Sequence, residues 1–136
     1  METVSIAIQL GLLAAIVAIP IIGVSKGYSF VRLNAISLPL ICFLIALTAY
    51  LPRYYSDFRL ELMEFDFEGV SDAERARNVL PESREEATAL YWSKMGIGWA
   101  LKAIFGIVLF APYPTLVWGG SVLVKQIRRK QNSKIT

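Results

Sequence analysis

The sequence predicts an all-α integral membrane protein with three transmembrane helices and a helical extracytoplasmic loop between the second and third. Three observations predict it. Of 136 residues, 55% are apolar and only 18% are charged, against about 25% charged in an ordinary soluble chain. The apolar residues gather into runs near 4–24, 33–52 and 97–124, each long enough for a helix to cross a hydrocarbon core ~30 Å thick. The charges are segregated as well: nearly all acids fall between Asp57 and Glu86, and the last cations between Lys125 and Lys134. A single membrane domain is expected.

Residues 4–24 are apolar apart from Ser5 and Gln9, with Pro20 near the end. Only Glu2 precedes the run as a charge, whereas a signal peptide carries a basic stretch before a shorter apolar one. An uncleaved first span is therefore expected. The segment "SKGYSFVRL" is long enough only for a turn, so the first two helices are antiparallel neighbours. The second run is interrupted by Asn34, Ser37, Pro39 and Thr48, and proline is tolerated where neighbours satisfy the freed carbonyl. Tyr50, Tyr54 and Tyr55 at its end suit an interfacial aromatic belt. Cys42, the sole cysteine, reads as a small buried hydrophobe with no internal disulfide available.

The third run, counted from Met95 to Val124, would reach about 45 Å as a helix, too short to cross twice. One crossing is expected, with one end protruding or tilted. Lys102 then sits near the boundary, where its ammonium can snorkel beside Trp99. Its other reading is an intramembrane charge paired with a carboxylate on another subunit. Pro112 and Pro114 fall near mid-span, and Pro112 predicts a kink. The Gly119–Gly120 pair a turn later admits a close neighbour.

Orientation follows the cations. Lys26 and Arg32 in the short turn join Lys125, Arg128, Arg129, Lys130 and Lys134 in the tail on one side. Arg53, Arg59, Arg75, Arg77, Arg84 and Lys94 are spread through the much longer loop on the other. The greater density in the turn and tail places the C-terminus in the cytoplasm and the N-terminus outside, in a membrane of the bacterial inner-membrane kind. Lys125, Arg128, Arg129 and Lys130 are expected to contact anionic lipid headgroups, each contributing about 1 kcal/mol near the surface.

The loop, residues 53–94, carries the acids. "FRLELMEFDFE" reads best as a surface helix placing Phe58, Leu62 and Phe65 on one face, with a bulged strand as the alternative. With Glu61, Glu64, Asp66 and Glu68 this face is the expected docking surface for a partner. Ser71 with Glu74 forms a capping box, and the short helix it opens ends at Pro81. Ser83 with Glu86 forms a second. From Arg84 to Lys102 one continuous helix is expected to run into the third span. The acids lack the D-x-[DN]-x-[DN]-G pattern of a calcium loop, so they read as a solvated face and no metal is assigned.

"ERARNVLPE", residues 74–82, superficially resembles the arginine–asparagine–glutamate motif of the small membrane glutathione and eicosanoid enzymes. That resemblance would imply a four-helix subunit with the motif at the start of the second span. Here the stretch lies in a polar loop broken by Pro81, and three apolar runs stand where that family has four. The family is not assigned.

Small residues recur at helical spacing in the first span, at Ala7, Gly11 and Ala15, and in the third, at Gly96, Ala100, Ala103 and Gly106. Such faces allow helices to pack closely in lipid. The chain has no histidine, which removes the commonest general base and metal ligand, and it shows no nucleophile motif and no cofactor signature. Its basic residues form no nucleic-acid footprint. The expected role is a non-catalytic accessory or structural subunit of a multi-protein membrane complex, surrounded by lipid and by other integral subunits. The alternative is a small homo-oligomeric channel or transporter.

Overall fold

The computed structural model describes residues 2–135. Helix accounts for 81% of the chain, with no strand among the described residues. The helices are α1 (Glu2–Ser25), α2 (Phe30–Leu62), α3 (Asp72–Arg75), α4 (Arg84–Ser93), α5 (Trp99–Phe110) and α6 (Tyr113–Ile135), with a 3₁₀ turn at Pro81–Ser83. Three stretches are long and apolar enough to cross a membrane: Thr3–Ser25, Phe30–Leu62 and Trp99–Ile135. The chain divides into two compact units, residues through Thr48 together with those from Ala103 onward, and Ala49–Lys102.

In the first unit α1 ends in a Schellman turn. Gly27 adopts φ 75°, Tyr28 N–H donates to the Gly23 carbonyl and Gly27 N–H to that of Val24, both at 3.0 Å. A left-handed residue at this point suits glycine because it has no Cβ to clash. The chain reverses at once into α2, and the Arg32 guanidinium lies 4.7 Å from the Tyr28 ring centre. Ile16, Ile41 and Ile45 form the buried centre, with Leu44, Ile107, Phe110 and Tyr113 packed against it. Three polar groups in this apolar setting are bonded. Tyr113 O–H donates to the Val17 carbonyl at 2.9 Å, the Asn34 amide donates to Phe30, and Thr115 Oγ1 donates to Asn34 Oδ1 at 3.3 Å. Unbonded, each would cost a few kcal/mol.

Between α5 and α6 the regular helix is interrupted at Ala111–Pro112. Pro112 has no N–H to donate and its ring crowds the carbonyl one turn earlier. The break is local: Ala111 N–H still reaches Ile107, and Leu116 N–H reaches Pro112.

In the second unit α2 continues past its apolar run to Leu62, 33 residues in all. It then stops in another Schellman turn, with Glu64 at φ 58° and Phe65 N–H bonded to the Leu60 carbonyl at 3.0 Å. Leu60 and Phe65 are both buried and belong to one cluster, the hydrophobic contact that accompanies such a cap. This corrects the expected surface helix over residues 58–68. Phe58 and Leu62 ride on the end of α2 and are exposed, while Phe65 lies beyond the cap and is 5% exposed.

Further expectations need correction. The Ser71 cap forms, accepting from Glu74 N–H at 3.3 Å, but the Glu74 carboxylate accepts from Val70 N–H instead of completing the box. α3 ends after four residues. Ser83 makes no side-chain capping bond, and Glu86 pairs with Arg59 instead. The single helix expected from Arg84 to Lys102 is also broken. α4 stops at Ser93 and α5 begins at Trp99, with Gly96 and Gly98 between them. Each glycine costs a helix about 1 kcal/mol relative to alanine, and two so close together outweigh the continuity suggested by the absence of proline.

The unit has its own core: Leu60, Phe65, Ala76, Val79, Ala87 and Tyr91, with Met63 and Leu90 against it. Tyr91 is its hub. The Phe65 ring centre lies 5.2 Å away, and Arg75 and Lys94 place cations 4.8 and 5.4 Å from the Tyr91 ring centre.

Candidate interaction surfaces

The segment read as a docking surface is dispersed by the fold. Glu61, Leu62, Glu64 and Glu68 are exposed and Asp66 is half-buried. Phe65 is withdrawn into the core. Asp66 is a structural residue, because its carboxylate accepts from Glu68 N–H at 3.0 Å and its N–H donates to the Arg75 carbonyl at 2.8 Å. What replaces the expected face is a groove. Leu62, Met63, Glu64, Asn78, Val79, Leu80 and Ser83 line a cavity of about 360 Å³. Leu62 is 65% exposed and Leu80 73%, two leucines eighteen residues apart brought to one rim. Leu80 was not legible as a site residue, because a lone leucine before Pro81 carries no periodicity.

The acids do not converge. Among the described residues there is no group of three or more His, Cys, Asp or Glu side chains placed to hold a metal ion. Several are committed elsewhere: Asp57 to Lys94 and Arg53, Asp72 to Arg75 and the Trp92 indole N–H, and Glu86 to Arg59.

The small-residue positions behave unequally. Gly106 packs inside the first unit, where a Cβ would lie 2.7 Å from Ile45 Cγ2, and Ala103, about one turn earlier in α5, is buried. In α1, Ala7 and Gly11 are exposed and Ala15 is half-buried. A methyl added at Gly11, Gly119 or Gly120 would meet no atom within 4 Å beyond its chain neighbours and its own helix backbone. Gly96 and Ala100 are exposed, and Gly96 belongs to the turn before α5. Pro114 is fully buried in the first turn of α6, and Pro112 occupies the interruption itself.

Lys102, in the first turns of α5, lines a cavity of about 150 Å³ within the second unit. Its other walls are Ala49, Pro52, Arg53, Ser56, Ser93, Lys94, Ile97 and Trp99. None of the ion pairs among the described residues includes Lys102. In α6, Lys125, Arg128, Arg129 and Lys130 are all exposed on a continuous helix, and the first three share a face at spacings of three and four residues.

Compared with protein-family models, with characterised proteins and with solved structures, the chain matches none.

Proposed function

We propose that the chain is a non-catalytic accessory subunit of a larger membrane complex. Its three long helices cross the bilayer with the C-terminus in the cytoplasm, and residues 49–102 dock an extracytoplasmic partner. The observation that carries the proposal is the pair Leu62 and Leu80, 65% and 73% exposed beside one groove. Leu62 lies eleven residues beyond Leu51, where the apolar run of α2 ends, or roughly 16 Å along a helix axis. A leucine that far from the hydrocarbon boundary has no lipid to cover it. Large exposed apolar groups with a polar rim mark a surface that another protein covers.

The partner has a defined chemistry. Glu61 and Glu64 flank Leu62 and are exposed, so the complementary surface is an apolar plug with a basic rim. The open faces at Gly11, Gly119 and Gly120 support close approach by helices of other subunits.

Site-specific photo-crosslinking in the native membrane tests this. A crosslinker at Leu62 or Leu80 gives one discrete heterologous adduct, and the double change Leu62→Glu with Leu80→Glu reduces partner co-purification at least tenfold without unfolding the unit, because neither side chain is buried. Only self-adducts, or co-purification untouched by the double change, would contradict the proposal.

A further inference from the structure

Where α2 leaves its apolar run and α5 is about to enter its own, three cations line one cavity. Arg53 comes from α2, Lys94 from the end of α4 and Lys102 from α5. The only carboxylate in ion-pairing contact with any of them, among the described residues, is Asp57, which pairs with Lys94 and stands 3.9 Å from Arg53. Lys94 is fixed further by the Phe67 ring, 4.6 Å away. The site therefore keeps a surplus of positive charge, with Lys102 outside every ion pair described. The two hydroxyls in its wall are already donating to backbone, Ser56 to Pro52 and Ser93 to Leu90, so the cations define what it selects. Ala49, Pro52, Ile97 and Trp99 make the rest of the wall apolar. Trp99 is steadied edge-on by Tyr50 at 5.3 Å between ring centres, an aromatic pair of the kind that marks a membrane–water boundary.

We propose that this cavity binds the phosphate-bearing headgroup of an anionic lipid. A guanidinium offers phosphate a planar pair of donors and an ammonium offers a point charge, while the apolar wall suits the amphiphile carrying that phosphate better than a free ion. This site is separate from the basic face of α6. The proposal rests on α2 and α5 being membrane-inserted, and it is independent of the accessory role.

Native mass spectrometry of the delipidated full-length protein in mild detergent provides the test, by titration with phosphatidylglycerol, phosphatidylcholine and inorganic phosphate. The expected result is one phosphatidylglycerol retained at about tenfold lower concentration than phosphatidylcholine, and not displaced by an equal concentration of inorganic phosphate. Arg53→Gln with Lys102→Gln abolishes that preference, Lys102→Gln alone weakens it, and Arg77→Gln, at an exposed cation outside the cavity, leaves it in place. Circular dichroism checks that each variant keeps its helix content. Equal retention of the two lipids, unchanged retention by the double variant, or displacement by equimolar phosphate would overturn the proposal. A protein that remains monodisperse without detergent would instead refute membrane insertion, a different failure.

Discussion

A Cβ on Gly106 would lie 2.7 Å from Ile45 Cγ2, so α5 and α2 meet at this point as closely as glycine allows. Ile45 is β-branched, its Cγ2 sits one bond from the Cβ, and χ1 has little freedom to move it away. Gly106→Ala therefore forces a shift of the helices. Overpacking costs typically 1–3 kcal/mol, partly offset by about 1 kcal/mol of helix propensity gained. The variant is expected to be less stable by about 1 kcal/mol in a reversible detergent unfolding titration. Adding Ile45→Ala removes the obstructing atom, so the two changes together should cost less than their separate effects added. Strict additivity would contradict the contact.

Tyr91 holds the second unit together. It is 7% exposed, sits among Leu60, Phe65 and Ala87 in one cluster, and faces two cations. Tyr91→Ala should cost about 3–5 kcal/mol, the range for deleting a large buried aromatic. Hydrogen exchange should show amide protection lost through residues 60–91 while residues 31–48 and 103–124 keep theirs. Unchanged exchange in the loop would be incompatible with a core centred on this ring.

Glu64 occupies the left-handed region at φ 58°, where a side chain crowds its own backbone. Glu64→Gly is expected to stabilise the unit by roughly 0.5–1 kcal/mol, and Glu64→Val to destabilise it by a larger amount because a β-branched residue fits that region worst. Thermal unfolding of the two variants should move in opposite directions. A loss of stability with glycine would mean that the cap conformation is wrong.

Much of the fold was legible in the sequence because it rests on chemistry that local windows carry. The three apolar runs, the turn at Lys26–Tyr28 and the interruption at Pro112 each follow from a run length, a glycine or a proline. The Ser71 cap follows from its own spacing. Two of the misreadings involve groups whose fate was decided by distant residues. Glu86 looked like half of a capping box and is held by Arg59. Phe65 looked like the third member of a helical stripe, but the helix ends before it and the core formed with Tyr91 takes it in. The break between α4 and α5 is local, but Gly96 and Gly98 are weaker helix breakers than a proline, so the sequence signal for it is faint. The groove at Leu62 and Leu80 and the cavity shared by Arg53, Lys94 and Lys102 unite residues far apart in sequence, which no periodicity encodes.

The proposed role makes this chain one subunit among others. Native mass spectrometry of the tagged protein, released gently from its own membrane, tests it most directly. Reproducible co-release at fixed stoichiometry with larger, different membrane proteins is expected, and it is lost when Leu62 and Leu80 are both made glutamate. A free monomer, or a discrete homo-oligomer with no foreign chain, would contradict it.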